Sequence, residues 1–520
     1  MGGIPHTGFL RSCIPMLLLL LLVGQKATPQ KKTRIDILYA DELLFDKKMG
    51  ESIKKLIGNV QLQHDEVIMA CDSAYLYDND RVVQAYGMIH MQQGDTLHLY
   101  GESVRYDANI KKAEVRKNVR LIDGESVVET QFLDFDVQNN LGYYFNGGEI
   151  RNGENILKSE RGYYYTQPEI FLYREKVSIV NPDYTITCDS LDYHTKTEVS
   201  YFRSPTEIVG EDYYVFCRDG WYNMETDVAR FITDAVVVNG SRTVRGDTIF
   251  YDRGRGYGNI ISHAEIHDTT EMIILRGNHA EYYENPEWTM ITDSALFIQY
   301  SDGDSLYLHA DTLRSVTDTV SGYRMIRAYY GVRFFKDDLQ GICDSMFYSF
   351  ADSIIYLYRS PVIWSEENQL TADSMRIYTI RRKIDRLEMY RSSFIISQED
   401  PRKYNQIRGK NMTGFFREGR LYRIDVFGNG QTIYFVRDGE EIVGVNRVES
   451  SDIRIFVKDN KIERIRLLTM PDGILNPPGE TPPEELKLKG FAWYDDIRPR
   501  DKNDVHRRSP IQAIVRDEER

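Results

Sequence analysis

Proline is scarce in this chain, 16 residues in 520, and tryptophan scarcer still at four. That scarcity, in a composition that is 42% hydrophobic, excludes an intrinsically disordered polymer, because there is enough apolar side chain for a packed core. Long apolar runs are missing too. Only one approaches bilayer-spanning length and the mean hydropathy is −0.46, which excludes a polytopic membrane protein. Positive charge is in deficit, 65 Lys and Arg against 79 Asp and Glu, and a net charge of −14 argues against nucleic acid as a partner. No Ser-His-Asp set, phosphate loop or Cys-x-x-Cys pair is present, so an enzyme has little support, no catalytic residue is assigned and no cofactor is implied. Helical spacing is hard to find. What is plentiful is aromatic: 36 Tyr and 22 Phe, residues that favour pleated, half-buried surfaces.

The first residues form an address. Arg11 precedes Ile14-Pro15-Met16 and the run from Leu17 to Val23, and polarity returns at Gly24-Gln25-Lys26. A positive residue before a short apolar core reads as a secretory signal over residues 1–27. The runner-up is an uncleaved anchor in the inner membrane. No Cys follows the apolar core, which argues against a lipoprotein anchor.

Length alone suggests about three domains, but a repeat points to one elongated body. Its pattern is alternating apolar residues, a small residue, an acidic residue, Ser or Thr, and apolar alternation again. Clear copies are Val67 to Leu76 around Cys71-Asp72-Ser73, Leu97 to Tyr106 around Gly101-Glu102-Ser103, and Ile186 to Tyr193 around Cys188-Asp189-Ser190. Others centre on Gly246-Asp247-Thr248, Ala310-Asp311-Thr312, Cys343-Asp344-Ser345 and Ala372-Asp373-Ser374. Weaker copies place the small position at Glu129, Ser159, Cys217, Gly277, Gly409 and Ser450, so thirteen copies follow one another at steps of 28 to 41 residues.

Each unit holds a second apolar stretch, such as Val82 to Met91, with turn residues such as Asp78-Asn79-Asp80 and Gln93-Gly94-Asp95 between. One unit is therefore two antiparallel strands. Across Asp72-Ser73 the apolar phase slips by one: Val67, Met69 and Cys71 before, Ala74 and Leu76 after. A strand that slips phase must bend or bulge to keep its apolar side inward. The expectation is an all-β, elongated solenoid of ~30-residue two-strand repeats, with the bend at the Asp-Ser step and a length on the order of 120 Å. The repeated carboxylates and hydroxyls are expected to cap backbone N–H groups at the bends.

Gly58-Asn59-Val60, an alternating strand, then Ala70-Cys71-Asp72-Ser73 and further alternation resemble the repeat of the OstA-like proteins. That family includes the periplasmic bridge protein of lipopolysaccharide transport and the N-terminal domain of its outer-membrane translocon. The resemblance is best over about residues 35–165 and extends through the repeat to about 457. It implies a β-jellyroll, or β-taco, whose apolar groove shields acyl chains, in the periplasm of a Gram-negative bacterium. It further implies lipopolysaccharide or lipid A as ligand, like-folded transport proteins stacked edge to edge, and the outer-membrane translocon as partners. The organisation follows: signal 1–27, an OstA-like jellyroll 28–165, continuing jellyroll repeats 166–470 and a Pro-rich, charged extension 471–520. The chain is longer than the bridge protein and lacks a C-terminal barrel pattern.

The candidate groove residues are Val67, Met69, Leu97, Leu99, Ile186, Leu191, Tyr193, Val244, Ile249, Tyr251, Leu306 and Leu308. The same residues could pack on each other as a closed core, making a structural or adhesive solenoid. A carbohydrate-acting enzyme on a parallel β-helix is disfavoured by the two-strand unit. Cys188 and Cys217 fall two strands apart, about 9.5 Å, too far for a bridge, so Cys71, Cys188, Cys217 and Cys343 are expected as buried free thiols. His263 and His267 stand too far apart on a strand to share a metal, and no metal site is assigned. In the tail, Phe491-Ala-Trp493-Tyr494 is an isolated aromatic patch that could dock on the protein's own open end, or on a partner.

Overall fold

The computed structural model describes residues 34–45, 52–300, 305–380, 383–418, 420–439, 441–458, 461–477 and 479–507. The expected signal lies outside these residues. Among them are 36 strands and no α-helix, so no helix is long and apolar enough to cross a membrane.

Strands such as Val67–Tyr77, Val82–Gln93, Leu97–Asp107 and Lys112–Asp123 pair in sequence order, each antiparallel to the next. Burial alternates along each strand and slips once at its middle. In Val67–Tyr77, Met69, Cys71, Ala74 and Leu76 are buried while Asp72 is exposed. The strand is thus two half-strands around a corner, each with its own inward face. Eight traverses are divided at that corner into two short strands, as in Leu141–Tyr144 and Gly148–Asn152, which pair with the two halves of Ser126–Asp136. Counted as traverses, or passes, the 36 strands make 28. At ~4.8 Å per pass the sheet is on the order of 130 Å long.

The corner differs from expectation in one respect. The extra residue sits on the strand paired with the Asp-Ser strand: Gly58 and Asn59 together oppose Asp72, and Gly87 and Met88 together oppose Glu102. These are bulges in which both residues are left-handed, with φ of 76° at Gly87 and 36° at Met88. Lys117-Asn118, Glu175-Lys176, Thr233-Asp234 and Ser262-His263 repeat the arrangement. Glycine is favoured at 87, because its φ is left-handed and a Cβ there would lie 2.2 Å from Asp72 Oδ2, so the carboxylate would have to move. The acidic residues cap the left-handed pair, more often through its side chains than its backbone. Asn59 Nδ2 donates to Asp41 at 3.0 Å, Asn118 Nδ2 to Glu102 at 2.5 Å and Lys176 Nζ to Glu160 at 2.9 Å, whereas Asp452 accepts from the Gly428 N–H at 3.1 Å.

The tail also departs from expectation. Residues 483–507 turn back and run across the outer face of one wall, from the pass at 441–458 toward the pass at 287–299. There the outward residues are apolar. Leu488 packs with Phe394, Ile396 and Phe435, Tyr494 with Trp364 and Ile342, and Val505 with Leu296 and Ile298. The aromatic patch docks on this outer face and not on the open end: Tyr404 packs 5.2 Å from Phe491 and 5.3 Å from Trp493.

Candidate functional site

The two half-sheets enclose one continuous apolar interior. On the first wall, direct cross-strand partners run from Leu62 through Met69, Met91, Leu99, Leu121 and Val128 to Ile150, Leu157, Ile179, Ile186, Ile208 and Val215. Every one of these is buried. The second wall carries its own row: Leu56, Ala74, Ala85, Val104, Val115, Leu133 and Tyr144. The walls come close, since a Cβ added to Gly142 of the second would sit 3.5 Å from Leu121 Cδ2 of the first.

All twelve residues singled out from the sequence face this interior. Met69, Leu99, Ile186, Val244 and Leu308 stand in the first row, and Leu191 and Ile249 in the second. Val67, Leu97 and Leu306 lie one step nearer the mouth on the first wall, Tyr193 and Tyr251 on the second. Nine are buried, while Val244, Tyr251 and Leu306 are half-buried.

The mouth opposite the corners is bridged by polar side chains that the repeat did not reveal. His64 Nδ1 of the first wall is hydrogen-bonded to the Tyr106 hydroxyl of the second at 2.7 Å. Lys111 Nζ reaches Asp65 at 2.5 Å, and the Tyr164 hydroxyl donates to Asp123 at 2.7 Å. Burial and the Asp65 and Asp107 carboxylates hold the Tyr106 hydroxyl well above its usual range, so it stays neutral. No sequence signal marks these partners, because each pair joins passes with no shared repeat position.

Cys188 and Cys217 both lie opposite Thr206, one on each side, which puts them two strands apart as the spacing implied. All four described thiols are free and buried. Burial raises Cys71 and Cys217 to about 12 and Cys188 to about 11, which makes them unreactive core groups. His263 pairs with Asp247 at 3.0 Å and His267 with the Tyr300 hydroxyl at 2.9 Å, so the two histidines are held apart.

The strap is held by a row of amides. Gln406 Nε2 donates to the Leu486 carbonyl at 2.8 Å and its Oε1 accepts from the Leu488 N–H at 2.9 Å. Gln340 Oε1 accepts from Arg498 at 2.6 and 2.9 Å. Arg333, 1% exposed, donates to the carbonyls of Ile497 and Asp504 at 3.0 and 3.2 Å, and burial and nearby Arg507 push its guanidinium down to about 10 against the pull of Asp504. Gln340, Gln369 and Gln406 each stand three residues before the small residue of a repeat (Cys343, Ala372, Gly409). That shared position was the available signal.

Residues 32–189 match the OstA-like protein family, and the resemblance drawn from the sequence is borne out over that span. No curated protein sequence matches the chain. Among solved structures, LptH of Pseudomonas aeruginosa, described as the LptA-homologous periplasmic component of the lipopolysaccharide transport device, is similar at 15% identity with a TM-score of 0.17. It covers 29% of this chain and 95% of its own. The WD40 domain of SCAP from fission yeast is similar at 8% identity with a TM-score of 0.13, covering 82% of this chain and 98% of its own. At such TM-scores the fold rests on the pairing and burial described above.

Proposed function

We propose that the protein is a non-enzymatic periplasmic carrier of lipopolysaccharide or a related lipid, shielding acyl chains between its two walls and extending a bridge toward the outer membrane. The observation that carries this reading is the aliphatic row on the first wall, unbroken from Leu62 to Val215. A surface of that kind binds by area and needs no signature residue. At ~0.8 kcal/mol per buried CH₂, one long acyl chain would gain roughly 10 kcal/mol. The OstA-like span supports the same reading at the level of family. The net charge of −14 disfavours recruiting an anionic headgroup, so chain burial has to dominate.

Like-folded partners fit the two ends. Among the described residues the pass formed by Asp36–Tyr39 and Glu42–Phe45 pairs on one side, with Ile53–His64, and Leu38, Leu43, Leu44 and Phe45 are exposed. At the other end Asp472–Asn476 pairs with Glu441–Lys458 and exposes Ile474 and Leu475. Open edges of this kind accept a further strand, from another jellyroll transport protein or from the translocon.

A closed structural solenoid is the second reading, favoured by the close approach of Gly142 to Leu121 across the interior, where an added Cβ would already be in van der Waals contact. Native mass spectrometry of the mature chain from a mild periplasmic extract separates the two. A co-purified mass matching lipid A or lipopolysaccharide supports the carrier. An empty protein that takes up no added lipopolysaccharide leaves the closed solenoid.

A further inference from the structure

Between a sealed N-terminal stretch and the strapped C-terminal part, the interior opens. The first-wall row continues beyond Val215 as Val237, Val244, Ile266, Leu275 and Phe297, each the direct partner of the next. All five are half-buried, whereas Val215 before them and Leu308 after them are buried. On the facing wall Tyr251, Tyr282 and Thr289 are half-buried as well. This is a cleft with one apolar side and one side bearing hydroxyls.

What borders the cleft explains why it opens there. In the N-terminal passes His64–Tyr106 and Asp123–Tyr164 bridge the mouth with buried or half-buried partners, and Lys111 reaches the exposed Asp65 beside them. From the last pass of the cleft onward the outer face of the first wall is held by the strap, whose Val505 packs on Leu296 and Ile298. Across the cleft itself stands an exposed ion pair: Arg242 of the first rim reaches Glu287 of the second at 3.8 Å while bonding Asp268 at 3.0 Å. Arg324 shares Glu287 at 3.7 Å. Exposed pairs of this kind contribute little stability and are readily opened. Once Glu287 lets go, each rim offers a guanidinium group, Arg242 on the first and Arg324 on the second, where an anionic headgroup would lie above a chain seated in the cleft.

We infer that the passes from 228 to 299 are the lateral port through which the acyl chain of an anionic amphiphile reaches the interior. This rests on the lipid-carrier reading. Arg242 and Arg324 hold the head at the rim, and the chain lies against Val244, Ile266 and Leu275. The neighbouring passes keep the chain covered once it has moved along the row.

The test introduces one cysteine at a time into the mature chain, whose four described native thiols are buried. Ile266→Cys, in the cleft, should react with a maleimide dye about tenfold or more faster than Ile179→Cys, which sits in the sealed row. Leu275→Cys repeats the measurement should Ile179→Cys fold poorly, with native Cys188 as its sealed reference. A bimane label at 266 should then be quenched by doxyl-stearate before a label at 179 is. Labelling at 266 as slow as at the sealed site overturns the port by itself, whatever lipid binds. Fast labelling at 266 with no quenching at either site overturns the carrier reading, and the occupant proposed here with it. Quenching at 179 as early as at 266 places access elsewhere and overturns the port alone.

Discussion

Gln369 binds Tyr494 from 125 residues away: its Oε1 accepts from the Tyr494 N–H at 2.6 Å while its Nε2 donates to the Ala492 carbonyl at 2.8 Å. The amide is fully buried and mimics the paired donor and acceptor of a neighbouring strand. In a solenoid each repeat otherwise touches only its neighbours, so a strap fixed at Gln406, Gln369 and Gln340 couples passes that would fray independently.

Gln369→Leu should therefore loosen the strap while leaving the sheet in place. Two half-buried backbone groups lose their partner, at up to about 1–3 kcal/mol each. Hydrogen exchange should quicken at residues 488–505 and at the outward side of 339–371, and stay unchanged at 67–123. Uniform quickening would mean that the residue supports the whole sheet.

The end of the strap should respond to mild acid. His309, buried beside His506 with ring centroids 5.0 Å apart, is held below its ordinary range by burial, then by His506 and Arg333. The Ala295 carbonyl and Asp311 act the other way without reversing the shift. A depressed histidine binds fewer protons docked than released, so docking is at full strength above about pH 6.5 and weakens as pH falls from there toward the docked value. Protection from exchange at 500–507, taken relative to the intrinsic rate at each pH, should fall between pH 7.5 and 5.5, and His309→Gln should flatten that dependence. An unchanged profile in the variant assigns the effect to another group.

Gly87→Ala should be among the costlier corner substitutions. It forces a side chain into a left-handed position and against the Asp72 carboxylate, together about 1–3 kcal/mol. Gly94→Ala is the control, since its place for a Cβ is open although its φ is also positive. Thermal unfolding should separate them, with Gly87→Ala the lower.

Cys71, Cys188, Cys217 and Cys343 should remain reduced and unlabelled by maleimide at pH 8 until the protein is denatured. Burial keeps the thiolate out of reach at that pH, with Cys217 at about 12. A Cys188–Cys217 bridge in a non-reducing peptide map would contradict the register through Thr206.

The two-strand unit was legible because period-2 alternation and a phase slip are local properties, visible in Val67 to Leu76 without any partner. The left-handed pair was not, since Gly87-Met88, Lys117-Asn118 and Thr233-Asp234 share no residue type; what they share is a place outside a bend. Phe491 and Trp493 were legible as a patch, but the face that receives them needs Tyr404, Gln369 and Trp364 brought together from three passes.

The sequence by itself determined the repeat, the inward set from Met69 to Leu308 and the corners, because alternation and steric crowding act over a few residues. Only the tertiary structure decided where the mouth is bridged and where the cleft stays open. His64 meets Tyr106, and Arg242 meets Glu287, only after the passes have bent and stacked, and such contacts depend on sheet twist and not on any spacing along the chain.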